Sequence, residues 1–126
     1  MKISQAEMDT LMLLWECKEP IRPASLLKMM TPIRPWSIST LKTILTRLVE
    51  KGYVEITLQK RFFYYYPKYT KEEFLKKETG ILLERLSDCS AVPLMAGLIR
   101  SESITKEELD EIEALIREEK ARFEGK

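Results

Sequence analysis

Hydrophobic positions recur with the period of a helix three times in the first fifty residues, and each stretch is bounded by recognisable start and stop signals. Ser4-Gln5-Ala6-Glu7 is an S-x-x-E capping box with Ile3 placed as a staple. Met8, Leu11, Met12 and Trp15 follow at helical spacing, which predicts a first helix from about Gln5 to Cys17. Lys18-Glu19-Pro20 ends it. Pro23, at a first-turn position, opens a short second helix with Ala24, Leu26, Leu27 and Met30 as its apolar residues, and Met29 and Met30 are read as core. Thr31-Pro32 and Arg34-Pro35 then impose an extended loop. In the third stretch Ser37 is the natural N-cap, and Leu41, Ile44, Leu45, Leu48 and Val49 recur at i, i+3, i+4, i+7, i+8. Its opposite face carries Ser39, Lys42, Thr43, Thr46 and Arg47, with a single acid, Glu50, near the end; Gly52 closes the helix after Lys51.

Beyond Gly52 the period changes from 3.6 to 2. Tyr53-Val54-Glu55-Ile56-Thr57-Leu58 and Phe62-Phe63-Tyr64-Tyr65-Tyr66 are two β-rich runs, with Gln59-Lys60-Arg61 between them as a basic hairpin tip. Three helices followed by a hairpin with cations at its tip is the winged-helix order, in which the third helix enters the major groove and the hairpin reaches the flanking backbone.

From Thr70 the helical period returns. Thr70-x-x-Glu73 is a second capping box, opening a helix to about Leu86 with Phe74, Leu75, Ile81, Leu82 and Leu86 as candidate buried positions. Ser90 to Ile99, which includes Leu94 and Leu98, reads as a short, strongly apolar helix with Pro93 in its first turn. Thr105-x-x-Glu108 is a third box, leading into Leu109, Ile112, Leu115, Ile116 and Phe123. Three helices of this size have too little core to stand alone, so a second copy of the chain is the expected supplement. Phe74, Leu75, Leu82, Leu86, Leu94, Leu98, Leu109, Ile112, Leu115 and Ile116 form the predicted dimerisation set. The predicted fold is mainly α: a winged helix-turn-helix over residues 1–69, three helices plus a β-hairpin wing, followed by a three-helix dimerisation region over residues 70–126.

Composition narrows the functions open to such a fold. The chain has 126 residues, 44% of them hydrophobic and 33% charged, which suits a soluble, helix-rich globular protein too short for most multi-domain enzymes. Its formal charge of +1 hides a division. Residues 1–19 carry 2 Lys/Arg against 4 Asp/Glu, residues 20–71 carry 10 against 2, and residues 72–126 carry 9 against 14. A basic block in a neutral chain is the footprint of a nucleic-acid-binding face, because neutralised phosphates release counterions. The chain contains no histidine, which excludes the Ser-His and Cys-His nucleophile pairs and the usual His-containing zinc sites. Cys17 and Cys89 lie far apart and are expected to be buried structural thiols, with no metal site or disulfide framework indicated. No enzyme activity and no cofactor are expected. The longest apolar runs fall short of the roughly 18–20 residues that span a bilayer, and the N-terminus lacks a signal pattern, so the expected location is the cytoplasm.

The stretch from Ile3-Ser4-x-Ala6-Glu7 through Trp15, then Trp36-Ser37-x-x-Thr40-Leu41-Lys42-Thr43-x-Leu45-x-Arg47-Leu48-x-x-Lys51-Gly52, then Tyr64-x-Tyr66-Pro67, resembles the penicillinase-repressor (BlaI/MecI/CopY-type) family over nearly the whole chain. The resemblance implies a dimeric winged-helix repressor whose C-terminal helices interlock and which binds double-stranded DNA at an inverted-repeat operator with TACA/TGTA-like half-sites. Carried over residue by residue, it implies Ser37, Ser39, Thr40, Lys42, Thr43 and Arg47 as DNA-facing positions on the third helix, with Lys60 and Arg61 at the wing; Thr46 shares that polar face. Ser37 and Thr40 are expected to bind phosphate near the helix N-terminus. Lys42, Thr43 and Arg47 are expected at base edges, since cations reach guanine and a threonine methyl can touch thymine. Trp36 is read as a packing wedge, and Tyr64, Tyr65 and Tyr66 as sheet face and hinge.

The sequence departs from the family where induction is encoded. Members that answer β-lactams are cleaved between an Asn-Phe pair before the last helix; the aligned pair here is Gly97-Leu98. Members that answer copper carry a C-terminal cysteine cluster, and this chain ends Glu124-Gly125-Lys126. An inactivating protease or sensor therefore stays unassigned, as does any redox role for Cys89. A second reading also stays open: a winged-helix module whose basic block meets an acidic protein partner.

Overall fold

The computed structural model describes residues 2–125, over which six helices and one hairpin follow one another: α1 (Gln5–Glu16), α2 (Pro23–Met30), α3 (Ile38–Glu50), β1 (Val54–Gln59), β2 (Phe62–Pro67), α4 (Lys71–Arg85), α5 (Ala91–Ile99) and α6 (Lys106–Glu124). All three capping boxes form: Ser4 with Glu7, Thr70 with Glu73 and Thr105 with Glu108 each exchange the reciprocal side-chain and backbone hydrogen bonds. Among the described residues no helix is long and apolar enough to cross a membrane.

The chain divides into two compact units, one reaching to Ile81 and one beginning at Leu82. In the first, α1, α2 and α3 bury one stripe each. Leu11 and Leu14 of α1, Leu26 and Met30 of α2, and Leu41, Leu45 and Leu48 of α3 are all at or near zero exposure. Each such side chain stabilises the fold by about 1.5–3 kcal/mol relative to exposure, so the three-helix arrangement has a core of its own. Trp36 packs against this core, as a wedge would.

The strands β1 and β2 pair antiparallel from Val54↔Pro67 to Gln59↔Phe62, which leaves Lys60 and Arg61 as a two-residue turn. Gln59, expected in the tip, is thus the last rung of the ladder. Lys60 holds the turn with a φ of 60° and is the one described non-glycine residue with positive φ. On its outer edge β2 bonds to the segment before α2: Tyr65 N–H donates to the Ile21 carbonyl at 2.8 Å and Ile21 N–H to the Tyr65 carbonyl at 3.0 Å. The wing is therefore tied to the entry of α2 as well as to the end of α3.

Two expectations are corrected here. The first unit continues past residue 69 because Phe74, assigned to dimerisation, is only 4% exposed and its ring packs against Trp15 and Tyr53, at centroid distances of 5.1 and 5.6 Å. An aromatic one turn into α4 closes the bottom of the winged helix, so the first turns of α4 belong to it. The thiols differ from expectation as well: Cys17 is half-buried and donates to the Leu13 carbonyl, while Cys89 is exposed in the bend before α5.

The second unit is built from the end of α4, α5 and α6, and neither α5 nor α6 contains a buried residue. Leu98, Leu115 and Ile116 are 57%, 56% and 46% exposed.

Candidate nucleic-acid interface

The apolar stripe of α3 turns Leu41, Ile44, Leu45 and Leu48 into the core, which leaves the other face outward by helix geometry alone. Ser37, Ser39, Thr40, Lys42, Thr43, Thr46 and Arg47 are all exposed, as are Lys60 and Arg61 at the turn of the wing. Lys42 and Arg47 line one shallow groove along α3 with Ser39, Thr43 and Thr46, and Glu50 stands at its end. Among the described residues no ion pair engages Lys42, Arg47, Lys60 or Arg61, so their charges face solvent.

The hydroxyls of Ser37, Thr40, Thr43 and Thr46 on this face are already committed. Ser37 Oγ accepts from Thr40 N–H at 3.2 Å and lies 3.1 Å from Thr40 Oγ1, so it caps α3. Thr43 Oγ1 donates to the Ser39 carbonyl at 3.1 Å, and Thr46 Oγ1 to the Lys42 carbonyl at 2.9 Å. Back-bonding of this kind uses the hydroxyl proton within the helix and leaves the threonine methyl and the oxygen lone pairs for a ligand.

What holds α3 in place was not apparent in the sequence. Glu7, read as a capping residue, is 1% exposed and its Oε1 also accepts from Lys51 Nζ at 2.7 Å, across from the C-terminal end of α3. Lys51 Nζ donates a second bond to the Lys2 carbonyl. Burial pushes the Glu7 carboxyl up, but the hydrogen bonds from Lys51 and Ser4 outweigh it and hold the group below the usual carboxylate range. Asp9 accepts from Arg34 Nε at 2.7 Å and so fixes the loop that leads into α3, and the Arg34 guanidinium lies 5.4 Å from the Trp36 ring. Two cations of the basic block, Arg34 and Lys51, are thus internal fasteners. The signal available in the sequence was that both carboxylates lie in the first turns of an otherwise apolar helix.

The dimerisation set divides by location. Phe74 is in the core of the first unit; Leu75, Leu82, Leu98, Leu109, Leu115 and Ile116 are exposed; Leu86, Leu94 and Ile112 are half-buried. Gly97 and Leu98 both lie within α5, so proteolysis between them would require that helix to unwind locally.

Residues 3–118 match the family described as penicillinase repressor. The penicillinase repressor of Bacillus licheniformis is 23% identical over 121 residues, covering 96% of this chain and 94% of that protein. The methicillin resistance regulatory protein MecI of Mammaliicoccus sciuri is 21% identical over 115 residues, covering 91% and 93%. Among solved structures, the monomeric form of Bacillus licheniformis BlaI in complex with the blaP half-operator aligns with a TM-score of 0.50 and 27% identity over 58% of this chain and 88% of that one. The DNA-binding domain of the repressor BlaI aligns with a TM-score of 0.51 and 28% identity over 57% and 87%. A match that runs through nearly all of the sequence, joined to a shared reading head, establishes that the chain belongs to the penicillinase-repressor family, whose members are winged-helix DNA-binding transcriptional repressors and not enzymes.

Proposed function

We propose that this protein represses transcription by binding an inverted-repeat operator as a homodimer, with α3 of each protomer in the major groove of one half-site and the β1–β2 wing on the flanking backbone. The observation that carries the reading is the polar face of α3, where Ser39, Lys42, Thr43, Thr46 and Arg47 stand exposed around one groove while the opposite face is clamped in the core. Lys42 and Arg47 offer long donors for guanine edges, Thr43 a methyl for thymine, and Ser37 and Thr40 sit at the helix N-terminus where phosphate is favoured. Lys60 and Arg61 contribute sequence-independent attraction. The apolar side chains of α4, α5 and α6 supply the dimer contact, which would set the two heads about 34 Å, or a multiple of that, apart. Such a protein acts in the cytoplasm, where its promoter lies.

Footprinting on the DNA upstream of the protein's own reading frame, against random duplex, tests the proposal. Arg47→Ala is expected to weaken binding to the palindrome selectively, by about 10-fold or more. Lys60→Ala is expected to weaken binding to all duplexes and to flatten the salt dependence by about one unit of slope for each bound protomer. Equal affinity of the unmodified protein for operator and random DNA would overturn it, and a stable complex with an acidic protein in its place would favour the interaction-module reading.

A further inference from the structure

Beside the reading helix lies a second concavity, of about 340 Å³, between the start of α2, the start of α3 and the wing. Arg22, Lys42 and Arg61 all line it, Ile38 and Phe62 give it an apolar floor, and among the described residues no carboxylate lines it. Three cations gathered round one hollow repel one another unless an anion is supplied from outside.

Arg22 is the residue that makes this site unusual. It occupies the N-cap of α2, a position that favours Ser, Thr, Asp or Asn, and makes no side-chain capping bond. Its guanidinium carbon instead sits over the ring of Phe62, 3.6 Å from the centroid, and among the described residues it forms no ion pair. Phe62 is itself 45% exposed at the base of the wing turn, an aromatic that contributes little to the core. A stacked guanidinium keeps its N–H edge free while its plane is held, which pre-organises the fork for an oxyanion. A local helix preference is thus violated where a cation is being positioned, and such violations mark functional sites.

Lys42 lines both this hollow and the groove of the reading face, so the two surfaces are contiguous. An anion held here lies at the edge of whatever α3 reads. We infer that Arg22, braced by Phe62 and joined by Arg61 and Lys42, binds one backbone phosphodiester of the operator at the border of the half-site, with Phe62 as a positioning residue. The inference rests on the DNA-binding reading above and adds to it a contact that carries register but no base identity.

Binding of the full-length protein to operator duplexes in which single phosphates are replaced in turn by neutral methylphosphonates tests it. The unmodified protein should lose about 10-fold in affinity at one flanking position in each half-site, where Arg22→Ala loses nothing further. Arg22→Ala should also lower the salt slope by about one for each bound protomer, equally on operator and random DNA. Arg22→Lys should restore the slope but only part of the affinity, because an ammonium has no plane to stack. Phe62→Leu should weaken binding in the presence of Arg22 and have no effect in the Arg22→Ala background, an outcome that a merely structural role would not produce. Arg22→Ala binding like the unmodified protein, or losing equally at every neutralised phosphate, overturns the inference while leaving the repressor reading intact. Failure of the unmodified protein to prefer its operator overturns that reading itself.

Discussion

Lys51 Nζ stands 2.7 Å from Glu7 Oε1 and so fastens the C-terminal end of α3 to the N-terminal turn of α1. Glu7 is almost fully buried and its Oε2 has no partner, which makes Lys51 the group that keeps the carboxylate charge tolerable. Lys51→Met should therefore destabilise the winged helix by about 2–3 kcal/mol, seen as a lower urea midpoint at unchanged slope. The double variant Glu7→Gln with Lys51→Met should recover part of that loss, because no buried charge is left unpaired. Equal losses in the single and double variants would show that the fastening is not electrostatic.

Stability should fall in acid for the same reason. Glu7 lies below its ordinary value of 4.5 because the bonds from Lys51 and Ser4 outweigh the upward push of burial. Asp9 lies below 3.8 through the Gln5 hydrogen bond and, against burial, through Arg34. A carboxylate depressed by folding contributes stability above its unfolded value and loses it as the pH drops through the folded value. The urea midpoint should thus hold down to about pH 5 and decline steadily below about pH 4, and the decline should be shallower in Glu7→Gln. A midpoint independent of pH over that range would count against both pairs.

Lys60 carries a positive φ at the first position of the wing turn, where an L side chain is strained and glycine is not. Lys60→Gly should stabilise the fold by about 0.5–1 kcal/mol in thermal unfolding while weakening duplex binding, because the strained backbone and the useful charge belong to the same residue. Lys60→Ala removes the charge without relieving the strain. If the glycine variant were no more stable than the alanine variant, the turn would not be storing strain.

Phe74→Ala opens a hole between Trp15 and Tyr53 and should cost the winged helix about 3–4 kcal/mol. Leu115→Ala, on an exposed face, should leave that unfolding transition within about 0.5 kcal/mol and act instead on the sedimenting mass. A fragment ending at residue 69 should melt well below one ending at residue 81. Equal melting of the two fragments would return Phe74 to the dimer contact.

Tyr53 offers an independent check on the same corner. Burial and then its hydrogen bond to Glu78 push the phenol up to about 12. Its pKa is raised by folding, so the stability it contributes is complete below the ordinary tyrosine value near 10 and is lost as the pH climbs through about 12. Ultraviolet titration should show a tyrosine ionising late in the full protein, and Tyr53→Phe should remove that late step.

Periodicity and capping chemistry made the helices legible in advance. Ser4, Ser37, Thr70 and Thr105 act within three residues of themselves, and the stripe from Leu41 to Leu48 decides which face of α3 is hidden wherever that helix packs. The family likeness carried the function further than these patterns could. Residues whose role depends on a distant partner are not legible in this way: Phe74 has the spacing of the C-terminal helices yet packs on Trp15 and Tyr53, and Arg22 carries no local signal of its contact with Phe62.

Local sequence by itself determined where each helix begins, which side of it is oily and where the positive charge gathers, because these depend on neighbours no more than about four residues away. Only the tertiary structure decided that Glu7 meets Lys51, that Arg22 lies on Phe62 and that Phe74 belongs to the reading head. Glu7 with Lys51, Arg22 with Phe62 and Trp15 with Phe74 each join residues 40 or more positions apart in sequence, and their geometry is set by how the helices and the hairpin close around a shared core, which no repeat along the chain encodes.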